Sequence, residues 1–151
     1  HYGTTHGCMT LGSESVHDWN VIMRNCQADD TNNVLWLKMR PDTPQHYEFV
    51  RIENFTGKCR NFLLVRPWTQ FYQKQERADM PLSQCNDITF KNIQMTCNVF
   101  FNVTGSDKYT LKNFAFEDID VKDYAKEKAF TKRPVENLML KNVVVNGEEI
   151  N

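Results

Sequence analysis

"NDITFKNIQM", residues 86–95, alternates apolar and polar side chains as far as Asn92 and then resumes the alternation out of phase. Ile88 and Phe90 stand four and two residues before Asn92, whereas Ile93 follows it directly and Met95 comes two positions later. Period-two alternation describes a strand with one buried face. A jump of three across Asn92, where two is the rule, means that the chain turns there and keeps the same face inward. Asn and Asp suit such a bend, because they tolerate the left-handed backbone conformation and bond locally to their own main chain.

The same grammar recurs in "WNVIMRNCQA", "EFVRIENFTG", "KNFAFEDIDV" and "ENLMLKNVVV", with Asn25, Asn54, Asp118 and Asn142 in the place of Asn92. The apolar positions before the bend are Val21 and Met23, Val50 and Ile52, Phe114 and Phe116, and Leu138 and Leu140; Cys26, Phe55, Ile119 and Val143 follow it. Five residues earlier a polar residue recurs as Asn20, Asp87, Asn113 and Asn137, and Phe49 takes that place in the remaining unit. The bends are 29, 38, 26 and 24 residues apart, which describes a basic coil of about 24 residues with loops inserted into the first two intervals. Stacked coils of this kind predict an all-β chain folded as a parallel β-helix of about five to six coils. A leucine-rich repeat is disfavoured because its regular Leu spacing and helical half are absent, and helical repeats because the apolar period is two and not 3.6. The stretch "DYAKEKAFTKR", residues 123–133, reads as a charged loop with room for a helical turn.

Composition agrees with a single globular domain over 1–151: of the 151 residues, 40% are hydrophobic and 25% charged. A formal charge of −1 argues against a nucleic-acid partner, which needs a concentrated positive field. No apolar run approaches the roughly 20 residues of a membrane span, so no membrane partner is expected. Five cysteines without a CxxC pair suggest neither a zinc site nor a closed disulfide framework, and buried free thiols are expected. "NFT" at Asn54 and "NVT" at Asn102 match the glycosylation acceptor pattern.

The first 40 residues carry a more specific pattern in "THGCMTLGSE", "WNVIMRNCQADDTNN" and "VLWLKM". Together with the repeat, it resembles the C-terminal part of the polygalacturonase-like glycoside hydrolases, the pectin-degrading β-helix enzymes. That family has a Gly-His-Gly strand, then Gly-Ser, a coil, and an Arg-Ile-Lys strand. His6-Gly7 matches the histidine motif with Thr5 in place of its first Gly, Gly12-Ser13 matches the Gly-Ser, and Lys38 matches the lysine. Trp36 stands where the arginine belongs, which removes a planar bidentate partner for a sugar carboxylate and offers a ring for sugar stacking. In "NFLLVRPWTQFY" the resemblance places Trp68, or alternatively Tyr72, at a substrate-side tyrosine, and Arg66 within reach of a carboxylate.

The resemblance implies a right-handed, pectin-lyase-like β-helix and inverting hydrolysis of pectic, galacturonate-containing polysaccharide. In such hydrolysis one carboxylic acid protonates the glycosidic oxygen while others activate water. The family's aspartates come from strands upstream of the histidine motif, so the expectation is a chain that begins among interior coils, with earlier coils outside it. It would carry His6 in a supporting catalytic role and Lys38, Trp36, Trp68, Tyr72 and Arg66 on the substrate side, and would be inactive alone. Asp29-Asp30 reads as a polar turn and not as a replacement for the family aspartates. His1, His17 and His46 match no motif. No cofactor and no metal site is implied, and the uncovered first coil is expected to be capped by residues outside this sequence or by another chain. A periplasmic or secreted location follows from the resemblance. The alternative is a non-catalytic β-helix module that binds carbohydrate through Trp36, Trp68 and Tyr72.

Overall fold

The computed structural model describes residues 7–69, 81–125, 130 and 134–151. These contain eight strands and no helix: β1 (Gly7–Leu11), β2 (His17–Trp19), β3 (Ile22–Met39), β4 (His46–Pro67), β5 (Ser83–Val103), β6 (Tyr109–Asp123), β7 (Val135–Val145) and β8 (Glu148–Ile150). β1, β3, β4, β5, β6 and β7 lie side by side in that order, each parallel to the next, and β2 lies parallel on β4. The result is an all-β parallel solenoid of about four turns, fewer than the five to six coils expected. Five bend residues stacked above one another span only four steps, and the coil before the first is represented by the short β1 alone.

The long strands are chains of short straight segments. Asn25, Asn54, Asn92, Asp118 and Asn142 all have φ between 52° and 56°, as the jump in alternation requires. The second set of bends is equally regular: Asn20, Asp87, Asn113 and Asn137 have φ of 56–57°. Phe49 joins them at φ 53°, without the local side-chain bond an Asn would supply. A left-handed conformation in a residue with a Cβ costs about 1–2 kcal/mol, and at Phe49 the regularity of the neighbouring coils imposes it.

Between bends, inward side chains stack in register from coil to coil. Val50 lies on Ile88 and Phe114, Ile52 on Phe90 and Phe116, and Phe55 on Ile93 and Ile119, all with at most 2% exposure. Phe90 and Phe116 stack at 4.6 Å, as do Phe62 and Phe100, and Phe130 packs edge-on against Phe116. Cys59, Cys85 and Cys97 are buried as expected, whereas Cys26 is half-buried and Cys8 exposed.

Side-chain amides repeat the stacking outside the core. Asn54 Nδ2 donates to Asn25 Oδ1 and Asn92 Nδ2 to Asn54 Oδ1, both at 2.8 Å; Asn142 Nδ2 donates to Asp118 Oδ1 at 2.8 Å. The second bends form a like ladder from Asn137 through Asn113 to Asp87. A third runs from Asn102 through Asn61 to Asn33 at 3.0 Å per step. Both Asn54 and Asn102, the acceptor-pattern asparagines, thus use their Nδ2 in ladders.

Two irregularities adjust this plan. β3 holds one residue more than β4 between Ala28 and Thr31, and Asp30 turns at φ 58° within that bulge. Gly57 faces it at φ 126°, where a Cβ would fall 1.9 Å from the Ala28 carbonyl oxygen. Beyond β7 the chain reverses through Asn146-Gly147, both at positive φ, and β8 returns antiparallel along β7. Asn-Gly is the characteristic two-residue hairpin turn. The charged stretch 123–133 lies outside the described residues at 126–129 and 131–133. No helix among the described residues is long and apolar enough to cross a membrane.

Candidate functional site

The end of β3 alternates Leu35, Leu37 and Met39 into the core, so Trp36 and Lys38 project from the opposite face. Parallel pairing sets Lys38 beside Arg66 and Trp36 beside Leu64 on β4. Pro67 has no N–H to continue the ladder, but the Trp68 amide donates to the Met39 carbonyl at 2.7 Å and fixes that residue next to Lys38. The two indoles meet edge to face, 5.2 Å apart at 84°. Lys38 Nζ sits 4.3 Å from the Trp36 ring and 4.4 Å from the Trp68 ring, and the Arg66 guanidinium carbon lies 5.4 Å from Trp36. Four of the expected site residues, Trp36, Lys38, Arg66 and Trp68, therefore form one cluster. Each cation–ring contact of this kind contributes about 0.5–1 kcal/mol at an accessible site, and two rings sharing one ammonium hold that charge in place.

This cluster divides two grooves. On one side lies a cleft of about 370 Å³ lined by Lys38, by Gly12 and Ser13, and by Glu14 and Asp18. Gly12 has φ 92°, and a Cβ on it would lie 2.5 Å from the Tyr47 hydroxyl and 2.6 Å from the Lys38 carbonyl oxygen, so only glycine permits this approach. The buried Gln45 holds the neighbouring loop: its Nε2 donates to the Ser13 carbonyl at 2.8 Å and its Oε1 accepts the Arg40 amide at 2.7 Å. Burial pushes the Tyr47 phenol above its ordinary range, which keeps its hydroxyl a donor toward the Ser15 carbonyl.

On the other side a wider groove of about 590 Å³ runs along Trp36 and Trp68. Its lining includes the Asn33, Asn61 and Asn102 ladder and two cations, Arg60 and Arg66, with no carboxylate among the described residues. The Trp36 Nε1 is buried beside it without a hydrogen-bond partner among the described residues. Flat rings, side-chain amides and unopposed guanidinium groups are a surface that suits an acidic, hydroxyl-rich chain.

His6 and Tyr72 lie outside the described residues. Asp29 and Asp30 are exposed at the bulge between Ala28 and Thr31, away from the lining of either groove. Reading motifs also left out a cluster on another face, formed by His17, His46 and Glu48. The signal for it was present: His17 and His46 each stand eight residues before a bend, Asn25 and Asn54, and so occupy one repeat position. The ladders have no signature in sequence beyond the recurrence of Asn and Asp at two positions of the repeat, and the Asn33, Asn61 and Asn102 set has none, because hydrogen bonding between coils requires knowing that the coils stack in register.

Comparison with known proteins gives no matching family model, no matching curated protein and no matching solved structure.

Proposed function

We propose that this chain is the substrate-side portion of a polygalacturonase-like glycoside hydrolase, whose Trp36–Trp68 groove binds acidic, pectic polysaccharide. The observation that carries the reading is Lys38, held by two indoles and adjoined by Arg66, at the border of a groove with no carboxylate among the described residues that line it. Galacturonate offers an apolar ring face for the indoles and a carboxylate for the cations. In this reading His6 has a supporting catalytic role, Tyr72 extends the substrate side, and carboxylates from upstream strands perform inverting hydrolysis. The coils wind right-handed in a pectin-lyase-like manner, as parallel crossovers overwhelmingly do. The protein then works where pectin is met, in the periplasm or outside the cell.

Titration of the chain with oligogalacturonides and with neutral oligosaccharides of equal length tests this. Trp68→Ala is expected to weaken acidic-ligand binding about 2- to 12-fold, the worth of one aromatic contact. Arg66→Gln should reduce both affinity and its salt dependence. Equal binding of neutral and acidic oligomers, or no loss in Trp68→Ala, would refute the reading. A second reading, binding without hydrolysis, is favoured by a groove lining with no carboxylate among the described residues. Assayed alone, the chain is expected to release no reducing ends from polygalacturonate; turnover that disappears in an Asp29→Asn/Asp30→Asn variant would overturn the role denied to those residues.

A further inference from the structure

β2 is only three residues long, yet it lies in strict parallel register on β4, with His17 opposite His46 and Trp19 opposite Glu48. Main-chain bonds pin both its ends: the His46 amide donates to the Val16 carbonyl at 2.7 Å and the Asn20 amide to the Glu48 carbonyl at 3.1 Å. The register stacks the two imidazoles, with centroids 5.0 Å apart and planes within 10°, and alternation puts Glu48 on the same outward face as His46. Both Nε2 atoms approach one carboxylate, His17 to Oε1 at 3.1 Å and His46 to Oε2 at 3.2 Å.

Ion pairing between side chains accounts for this only in part. His46 Nε2 is buried and, despite its proximity to Glu48, makes no hydrogen bond among the described residues. On the next coil Asn86, the in-register neighbour of Glu48, also keeps a buried Oδ1 without a partner. A buried imidazole nitrogen that lies 3.2 Å from a carboxylate oxygen without bonding to it leaves room for an occupant, since such an atom costs about 1–3 kcal/mol when left unsatisfied.

We propose that His17, His46 and Glu48 form a binding site for a divalent transition ion of the zinc class, which clamps β2 to β4. The three ligand atoms lie within 4.8 Å of one another. Tetrahedral coordination with bonds of about 2.0–2.1 Å sets ligand atoms about 3.3 Å apart, so Glu48, whose two oxygens each face one imidazole at 3.1 and 3.2 Å, has only to bring one oxygen to both nitrogens. Two imidazole nitrogens and one carboxylate oxygen suit Zn²⁺, Co²⁺ or Ni²⁺ and are a poor set for Ca²⁺ or Mg²⁺, which take oxygen ligands. Asp18, between His17 and Trp19 on β2, lines the cleft with Gly12, Ser13 and Lys38, so an ion holding β2 also fixes one wall of that cleft.

Calorimetric titration of the metal-stripped chain with ZnCl₂, with CaCl₂ as control, tests the proposal. One equivalent of Zn²⁺ should bind and raise the thermal midpoint, while Ca²⁺ does neither. His17→Gln and His46→Gln should each weaken Zn²⁺ binding by at least about 100-fold, more than the loss typical of an outer-shell partner, with the far-UV circular dichroism of the parent. A Cys8→Ser/Cys26→Ser variant should bind as the parent does, and the Co²⁺-loaded chain should lack a thiolate charge-transfer band. Absence of saturable Zn²⁺ binding, retention of it in the folded histidine variants, or its loss with the cysteines would overturn the proposal.

Discussion

Replacing Asn54 separates the two tasks given to the bend residues. Its backbone sits at φ 54°, its Nδ2 donates to Asn25 and its Oδ1 accepts from Asn92, each at 2.8 Å, all at the surface. Alanine removes both bonds, at roughly 0.5–1 kcal/mol each in an exposed setting. It also forces a Cβ-bearing residue without local support into the left-handed region, about 1–2 kcal/mol more. Asn54→Ala should therefore cost about 2–4 kcal/mol, and Asn54→Gly, which accepts the backbone but not the ladder, about 1–2 kcal/mol. For a chain of this length the midpoint should fall by about 5–15 °C with alanine and about 2–8 °C with glycine. Urea unfolding followed by circular dichroism, with the slope compared between variants to check that the transition remains cooperative, measures both. Alanine and glycine variants equal within about 0.5 kcal/mol would refute the bend energy, and a glycine variant as stable as the parent would refute the ladder.

Asp118 interrupts the same ladder, because it accepts from Asn142 but has no N–H to offer Asn92 Oδ1; Asp118→Asn is expected to add up to about 1 kcal/mol, read as a raised urea midpoint. Burial raises the Cys85 thiol above its ordinary value of 9.0. Below that pH the thiol is protonated in both states and its contribution is complete; above it the unfolded chain ionises first and stability falls as pH rises. Unfolding midpoints from pH 7 to 10.5 should therefore decline above pH 9, and Cys85→Ala should flatten the decline.

The bends were legible because Asn and Asp advertise a left-handed backbone, and all five lie where the phase of alternation changes. Phe49 was not legible as a bend, since nothing in its side chain favours φ 53°; only its place in the stack imposes it. Trp36, Lys38, Arg66 and Trp68 were named by the resemblance alone; what joins them is the pairing of β3 on β4 and the turn after Pro67, which no single stretch of sequence states. His17, His46 and Glu48 escaped because metal-ligand patterns are sought at short spacings, whereas a solenoid joins residues a whole coil apart. The coil number is lower than the repeat suggests because five bends stacked above one another enclose only four steps.

The ladders have a polarity with a further consequence. In each step the amide nitrogen belongs to the later coil and the oxygen to the earlier one, whether the two are 24, 29 or 38 residues apart. Aligned amides polarise one another in one direction along the solenoid axis, so an inner step gains from its neighbours on both sides and a terminal one does not. Loop length is thereby freed from stacking. An added coil of any span is compatible with this molecule if it presents a donor to the coil behind and an acceptor to the coil ahead, which is a rule of grafting set by the ladders alone.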